Sequence, residues 1–265
     1  MRWAAAHAKI NLSLVVGPIR PDGKHEVATV LQRIDLADRI ALVRKPGLEV
    51  TGYPDDVLVR TALLGLADAA GVEPHWSVEI EKRIPVAAGL GGGSSDAATA
   101  LRFANATLIH PLPLETLHAL AADIGADVPF FLAEGPQLGT GDGTQLSPVE
   151  LPSNYLVVVV LPAGEKKAST ASVYEAFTRE DGFAERRAAL TSALESGDLE
   201  ALPPNDLAVS PLADELLALG AFRADVSGAG PAVYGLFAEQ ERAEGAREAL
   251  ANRGQTWLAR PAWYG

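Results

Sequence analysis

A chain of 265 residues, 48% of them apolar, can bury the core of one large domain or of two small ones. Its formal charge of −12 argues against nucleic acid and membranes as partners, but leaves room for an anionic small molecule wherever the few cations gather. With Cys 0 there is no disulfide scaffold, thiolate metal site or Cys nucleophile, which fits a reducing, cytoplasmic setting; no apolar run approaches the ~18 residues of a membrane span.

Residues 8–16 alternate at first, with Ile10, Leu12 and Leu14 on one face and Lys9, Asn11 and Ser13 on the other, which predicts a strand. Lys9 and Asn11 therefore point the same way. On pattern alone they read equally well as solvated polar residues of a half-exposed strand. Residues 18–25 form a turn around Pro21-Asp22-Gly23, with Lys24 and His25 at its exit. Strands are predicted at 27–36 and 39–44, separated by Ala37-Asp38, and a helix at 57–70, behind Asp55-Asp56 and ended by Gly71.

Residues 76–81 alternate as a strand. The most informative stretch of the chain lies just beyond them: Pro85-Val86-Ala87-Ala88-Gly89-Leu90-Gly91-Gly92-Gly93-Ser94-Ser95. A helical run begins directly after it. Strand, glycine loop and helix in that order make a phosphate cradle. The glycines let a ligand reach the main chain, and Ser94 and Ser95 sit at the positive end of the helix. The plainer reading is a surface loop with a Ser N-cap, but unbroken Gly-Gly-Gly is a poor way to build one. No Lys follows the glycines, so this is not the G-x-x-x-x-G-K-S/T loop, and the spacing does not match G-x-G-x-x-G.

Pro113 opens a helix that Gly125 closes. Asp127, two residues before Pro129, stands where a helix N-cap stands; capping and catalysis are both open to it, and they are compatible. Residues 135–148 read as turns. Residues 155–161 are an unbroken apolar strand, buried on both faces. Helices come next at 169–177, 183–194 and 212–219. A second glycine turn spans 225–231, and strand, helix and strand complete the chain at 232–237, 240–251 and 257–259. The pattern is α+β, with two domains, 1–150 and 151–265. The five His show no metal-ligand spacing, and no nucleophile elbow is present.

Three separated motifs coincide. Ala8-Lys9-Ile10-Asn11-Leu12, the segment from Pro85 to Ser95, and Val226-Ser227-Gly228-Ala229-Gly230-Pro231 resemble, in order, the three signatures of the GHMP kinases. Arg20 to Glu26, Ile80 to Pro85, Gly125-Ala126-Asp127-Val128-Pro129 and Asn205-Asp206-Leu207 are most similar to the members that phosphorylate 4-diphosphocytidyl-2-C-methyl-D-erythritol. The resemblance implies a two-domain fold with the active site in the inter-domain cleft. It implies Asp127 as catalytic acid/base and Lys9 as its partner. It implies that Pro85, Ala88, Gly89, Leu90, Gly91, Gly92, Gly93, Ser94 and Ser95 hold ATP, with Mg2+ touching Ser95 directly or through water. Asn11, His25, Thr170 and Tyr174 are the implied substrate contacts, His25 reading the cytosine and Tyr174 stacking on it. The chain departs from the family where Lys24 replaces a Tyr, where Asp56-Val57 replaces Asn-Leu, and where Gly141-Asp142-Gly143-Thr144 replaces Gly-x-Gly-Glu. The first departure leaves open a different alcohol, mevalonate-, homoserine- or sugar-like. A non-catalytic nucleotide sensor is the reading from another class. Oligomeric state is not legible.

Overall fold

The computed structural model describes residues 3–164, 169–179 and 181–263. Two long strands, β1 (Trp3–Ile19) and β2 (His25–Arg44), pair with each other and are joined by the turn at Gly23. The break expected at Ala37-Asp38 does not occur. Asp is a poor strand residue in isolation, but Asp38 is fully buried, and its carboxylate accepts hydrogen bonds that satisfy it inside the sheet. The chain forms two compact units. Unit 1 is Met1–Ala8, Leu36–Val86 and Gly91–Glu134; unit 2 is Lys9–Asp35, Ala87–Leu90 and Gly135–Gly265. β1 and β2 contribute to both.

In unit 1, β3 (Gly47–Thr51) lies parallel to β4 (His75–Glu81), which pairs antiparallel with the second part of β2, Ile40 opposite Ile80. Parallel neighbours need a crossover, and α1 (Leu58–Ala70) supplies it. Asp56 accepts from the Val59 N–H at 2.8 Å at the head of α1, and Gly71 ends it at φ 63°. α2 (Gly92–Asn105) packs its Ala-rich face on α1; Ala97, Ala98, Ala100, Leu101 and Ala104 are all buried. α3 (Leu114–Ile124) follows, and then a short 3-10 turn, Pro129–Phe131.

In unit 2, the first part of β2 pairs with β5 (Gln137–Gly141), which forms a hairpin with β6 (Gln145–Pro148). The region expected to be turn-rich is thus largely strand. Its glycines serve the close approach of the chains: a Cβ on Gly139 would stand 3.1 Å from both Thr29 and the Gly143 carbonyl. β7 (Leu156–Pro162), β8 (Arg223–Val226), β9 (Val233–Phe237) and β10 (Gly254–Ala259) form a second, antiparallel sheet in the order β10-β7-β9-β8. β7 is central and Leu156 to Val160 are buried, as the apolar run predicts. α4 (Thr170–Glu175) and α5 (Phe183–Ser196) lie between β7 and β8 in sequence, as does α6 (Pro211–Ala218). α6 and α7 (Gln240–Ala249) pack on the second sheet through Leu212, Leu216, Ala243 and Ala246.

Candidate active site

Lys9 and Asn11 lie in the part of β1 that belongs to unit 2, and they are 3% and 5% exposed. That burial rules out a solvated polar face. An ammonium costs several kcal/mol to bury unless it is paired or hydrogen-bonded. Lys9 Nζ donates to Asn11 Oδ1 at 2.5 Å. Asn11 Nδ2 donates to Thr29 Oγ1 at 2.8 Å, and Thr29 donates to the Ser13 carbonyl at 2.8 Å. The asparagine is thereby fixed with its oxygen toward Lys9.

The first half of the glycine stretch is tied to the second glycine turn. Ala232 N–H donates to the Ala88 carbonyl at 3.0 Å, Ser227 Oγ to the Gly89 carbonyl at 3.0 Å, and Lys9 N–H to the Leu90 carbonyl at 2.9 Å. Gly89 has φ 85°, and a Cβ there would stand 2.2 Å from the Ser227 carbonyl oxygen. A Cβ on Gly228 would stand 3.3 Å from both Lys9 Nζ and Asn11 Oδ1. Asn205 holds this turn. Its Nδ2 donates to the carbonyls of Val226 (2.9 Å) and Gly228 (2.7 Å), while its Oδ1 accepts from the Leu207 N–H at 2.8 Å. The Asn205-Asp206-Leu207 motif was visible in the sequence, but its tie to a turn more than twenty residues away was not.

His25 opens β2 and its Nδ1 is 2.8 Å from the Gly17 carbonyl. Its ring lies 5.9 Å from Tyr174, tilted, and 5.6 Å from Phe177, edge-on. Phe177 is an addition to the expected set; it packs with Tyr174 on Leu14, Val16 and Val27. Thr170 is exposed at the head of α4. Lys24 does not take the place of a stacking ring. Its ammonium donates to Asp142 at 2.6 Å. Burial pushes the Asp142 carboxyl up, but Lys24 and Thr144 outweigh it and bring it down to about 2. The two departing residues, Lys24 and Thr144, therefore meet at one carboxylate, since Thr144 Oγ1 also donates to Asp142 at 2.6 Å.

In unit 1, the second half of the glycine stretch becomes the first turn of α2. Gly91 is the N-cap in the left-handed conformation, φ 69°, and no side chain caps the helix. The Ser-cap reading is therefore corrected: Ser94 and Ser95 lie inside the first turn. Ser95 N–H to the Gly91 carbonyl, at 2.9 Å, is the first rung, so the N–H groups of Gly92, Gly93 and Ser94 precede the helical ladder. Ser95 Oγ is buried without a hydrogen-bond partner. Among the described residues no group of three or more His, Cys, Asp and Glu is arranged to hold a metal ion. Pro85 is half-buried at the entry to the loop. Asp127 is half-buried, and the cap position of the turn it precedes is Val128, one residue later, so the capping expectation is off by a residue.

Residues 57–135 match the family model "GHMP kinases N terminal domain", and residues 183–256 match "GHMP kinases C terminal". The chain belongs to the GHMP kinases. A 4-diphosphocytidyl-2-C-methyl-D-erythritol kinase of Geobacter sulfurreducens is 39% identical to this kinase over 96% of its chain and 95% of the relative. One of Gloeobacter violaceus is 38% identical over 93% and 89%. The crystal structure of a 4-(cytidine 5'-diphospho)-2C-methyl-D-erythritol kinase superposes with a TM-score of 0.82 at 33% identity, covering 98% of this kinase and all of that chain (100%). A homoserine kinase from Cytophaga hutchinsonii, TM-score 0.72 at 17% identity, shares the fold.

Proposed function

We propose that this kinase transfers the terminal phosphoryl group of ATP to the hydroxyl of 4-diphosphocytidyl-2-C-methyl-D-erythritol, a step of non-mevalonate isoprenoid precursor synthesis. The observation that carries the reading is the near full-length similarity, at 39% and 38% identity, to relatives of that name. The site chemistry agrees with it. Phosphoryl transfer asks for positioning and charge neutralisation more than for covalent help. The N–H groups at the start of α2 supply donors for phosphate oxygens. Asp127 takes the proton of the acceptor hydroxyl as the new bond forms. Lys9, oriented by Asn11, stabilises charge on the group in transfer.

His25 pairs with the cytosine edge, Tyr174 stacks on its face, and Thr170 and Asn11 complete the substrate contacts. Phe177, edge-on to His25, contributes apolar area where an aromatic at position 24 is missing. The orphaned hydroxyl of Ser95 fits a magnesium contact, direct or through water. A magnesium ion held there would supply charge neutralisation to the phosphates. The composition suits a cytoplasmic enzyme, and no helix among the described residues is long and apolar enough to cross a membrane.

The test is ADP release against a panel of the cytidylyl alcohol, mevalonate, phosphomevalonate, homoserine and galactose. Turnover confined to the cytidylyl alcohol supports the reading. Turnover with another member and none with this one leaves only the kinase class.

A further inference from the structure

Within unit 2, the residue after Asn205 serves a different part of β1 from the one beside the glycine turn. Asp206 Oδ2 accepts the Val16 N–H at 2.9 Å and Arg186 Nε at 3.0 Å, and Arg186 Nη2 donates to the Val16 carbonyl at 3.0 Å. One ion pair therefore takes both main-chain groups of Val16, as a neighbouring strand would. Leu14 is served on the same edge, where its carbonyl accepts the Asp206 N–H at 2.9 Å. Main-chain groups alternate along a strand, so Gly17 turns its carbonyl to the opposite edge, where β2 begins. There His25 Nδ1 lies 2.8 Å from it. The first turn of α5 holds Gly17 in place: a Cβ on that glycine would stand 2.8 Å from the Phe183 ring, and Arg186 is one turn further on.

A carbonyl only accepts, so the His25 Nδ1 that faces it carries a proton. The neutral ring then has its lone pair on Nε2, which has no hydrogen-bond partner among the described residues. The ring's orientation is held as well: Tyr174 and Phe177 flank it and pack, with Leu207, on Leu14, Val16 and Val27. The Asp206 and Arg186 side chains are 5% and 13% exposed. A buried ion pair is a weak source of stability, and apolar replacements of the same shape are often as stable, so stability alone does not call for this one. We infer that Arg186 and Asp206 are positioning residues for the base reader: they hold the Gly17 carbonyl against His25 and so present Nε2 to the substrate as a hydrogen-bond acceptor. An acceptor there pairs with the exocyclic amine of cytosine and repels the carbonyl oxygen that uracil carries in its place. The inference rests on the reading of the substrate as a cytidylyl alcohol.

The first measurement needs no variant of the pair. Histidine 15N shifts of the full chain, assigned with His25→Gln and recorded at about pH 8, above the ordinary imidazole range, should show His25 with its proton on Nδ1 and none on Nε2. A neutral ring with its proton on Nε2 overturns the inference. Steady-state kinetics then compare the wild type, Arg186→Met and Asp206→Asn on the cytidylyl alcohol and on its uridylyl counterpart. Either variant should raise the KM for the cytidylyl alcohol about tenfold, with kcat and the KM for ATP within about twofold of the wild type. The wild type's preference for the cytidylyl alcohol, as a ratio of kcat/KM values, should fall by about tenfold in both variants. A merely structural ion pair would lower activity on the two alcohols alike, so an unchanged ratio overturns the inference. Failure of both variants to fold overturns it too, because the pair would then serve the fold itself. If the wild type phosphorylates neither alcohol, the reading of the substrate fails and this inference falls with it.

Discussion

Gly89→Ala is the substitution whose consequence the structure sizes best. At φ 85° an alanine is held in the left-handed region, and its Cβ would stand 2.2 Å from the Ser227 carbonyl oxygen and 3.1 Å from that of Gly230. The backbone conformation costs roughly 1–2 kcal/mol. The overlap is with main chain, so no side chain can swing aside to relieve it. Residues 87–90 must instead move away from the second glycine turn. That move weakens the bonds from Ala232 to Ala88, from Ser227 to Gly89 and from Lys9 to Leu90, each with a net value of about 1 kcal/mol. The sum is about 4–5 kcal/mol, which for a chain of this size lowers Tm by roughly 8–20 °C. Gly23→Ala is the matched control. It has φ 83° with nothing within 4 Å of the added carbon, so it bears the conformational cost alone. It should lose only about 2–8 °C. The assay is thermal unfolding of both variants without ligand, in one buffer. If Gly89→Ala melts with Gly23→Ala, the contact between the two glycine segments contributes nothing and the reasoning is refuted.

Asp127→Asn keeps size but removes the base; kcat should fall roughly 10²–10⁴-fold with ATP binding nearly intact, and activity within a few-fold of wild type in steady-state assays would remove Asp127 from the catalytic role. Gly92→Val should raise the KM for ATP sharply, since even a first carbon there meets Ile84 at 3.1 Å and Lys82 at 3.3 Å; unchanged ATP kinetics would mean that the start of α2 does not hold the nucleotide. Lys24→Tyr removes an ion pair whose lysine is 61% exposed, so Tm should move by no more than about 1–4 °C. The same variant should lower the KM for the cytidylyl substrate and leave that for ATP alone, and loss of all activity would mark Lys24 as part of a different specificity.

Features that depend on near neighbours were legible in the sequence. Lys9 and Asn11 share a face because side chains on a strand alternate, and the strand, glycine loop and helix show because they are contiguous. β7 follows from its apolar run, one residue later at each end than expected. What depends on distant partners was not legible. Asp38 reads as a strand break until the N–H groups of Arg83 and Ile84 are seen to satisfy it. Lys24 and Thr144 were two unrelated departures until the hairpin of β5 and β6 brought both onto Asp142, each at 2.6 Å. That hairpin was itself hidden, because glycine and threonine mark turns by composition although here they pair as strand. β3 and β8 are only five and four residues long, too short for a period to declare itself.

The way β1 and β2 serve both units has a consequence for biosynthesis. All of unit 1 has been translated once Glu134 is made, roughly half-way along these 265 residues. Unit 2 opens at Lys9 but closes only at the other end of the chain. β10 completes its sheet beside β7, Ala262 N–H donates to the Arg33 carbonyl at 3.0 Å, and Pro261 bridges to Ile34. On the ribosome the first segments of unit 2, with Leu12, Val15, Val16, Val30 and Ile34, must wait for partners not yet made. A nascent chain stalled past residue 134 would carry a finished first unit and an apolar ribbon on offer to holding chaperones, and release of the last strand would end that exposure.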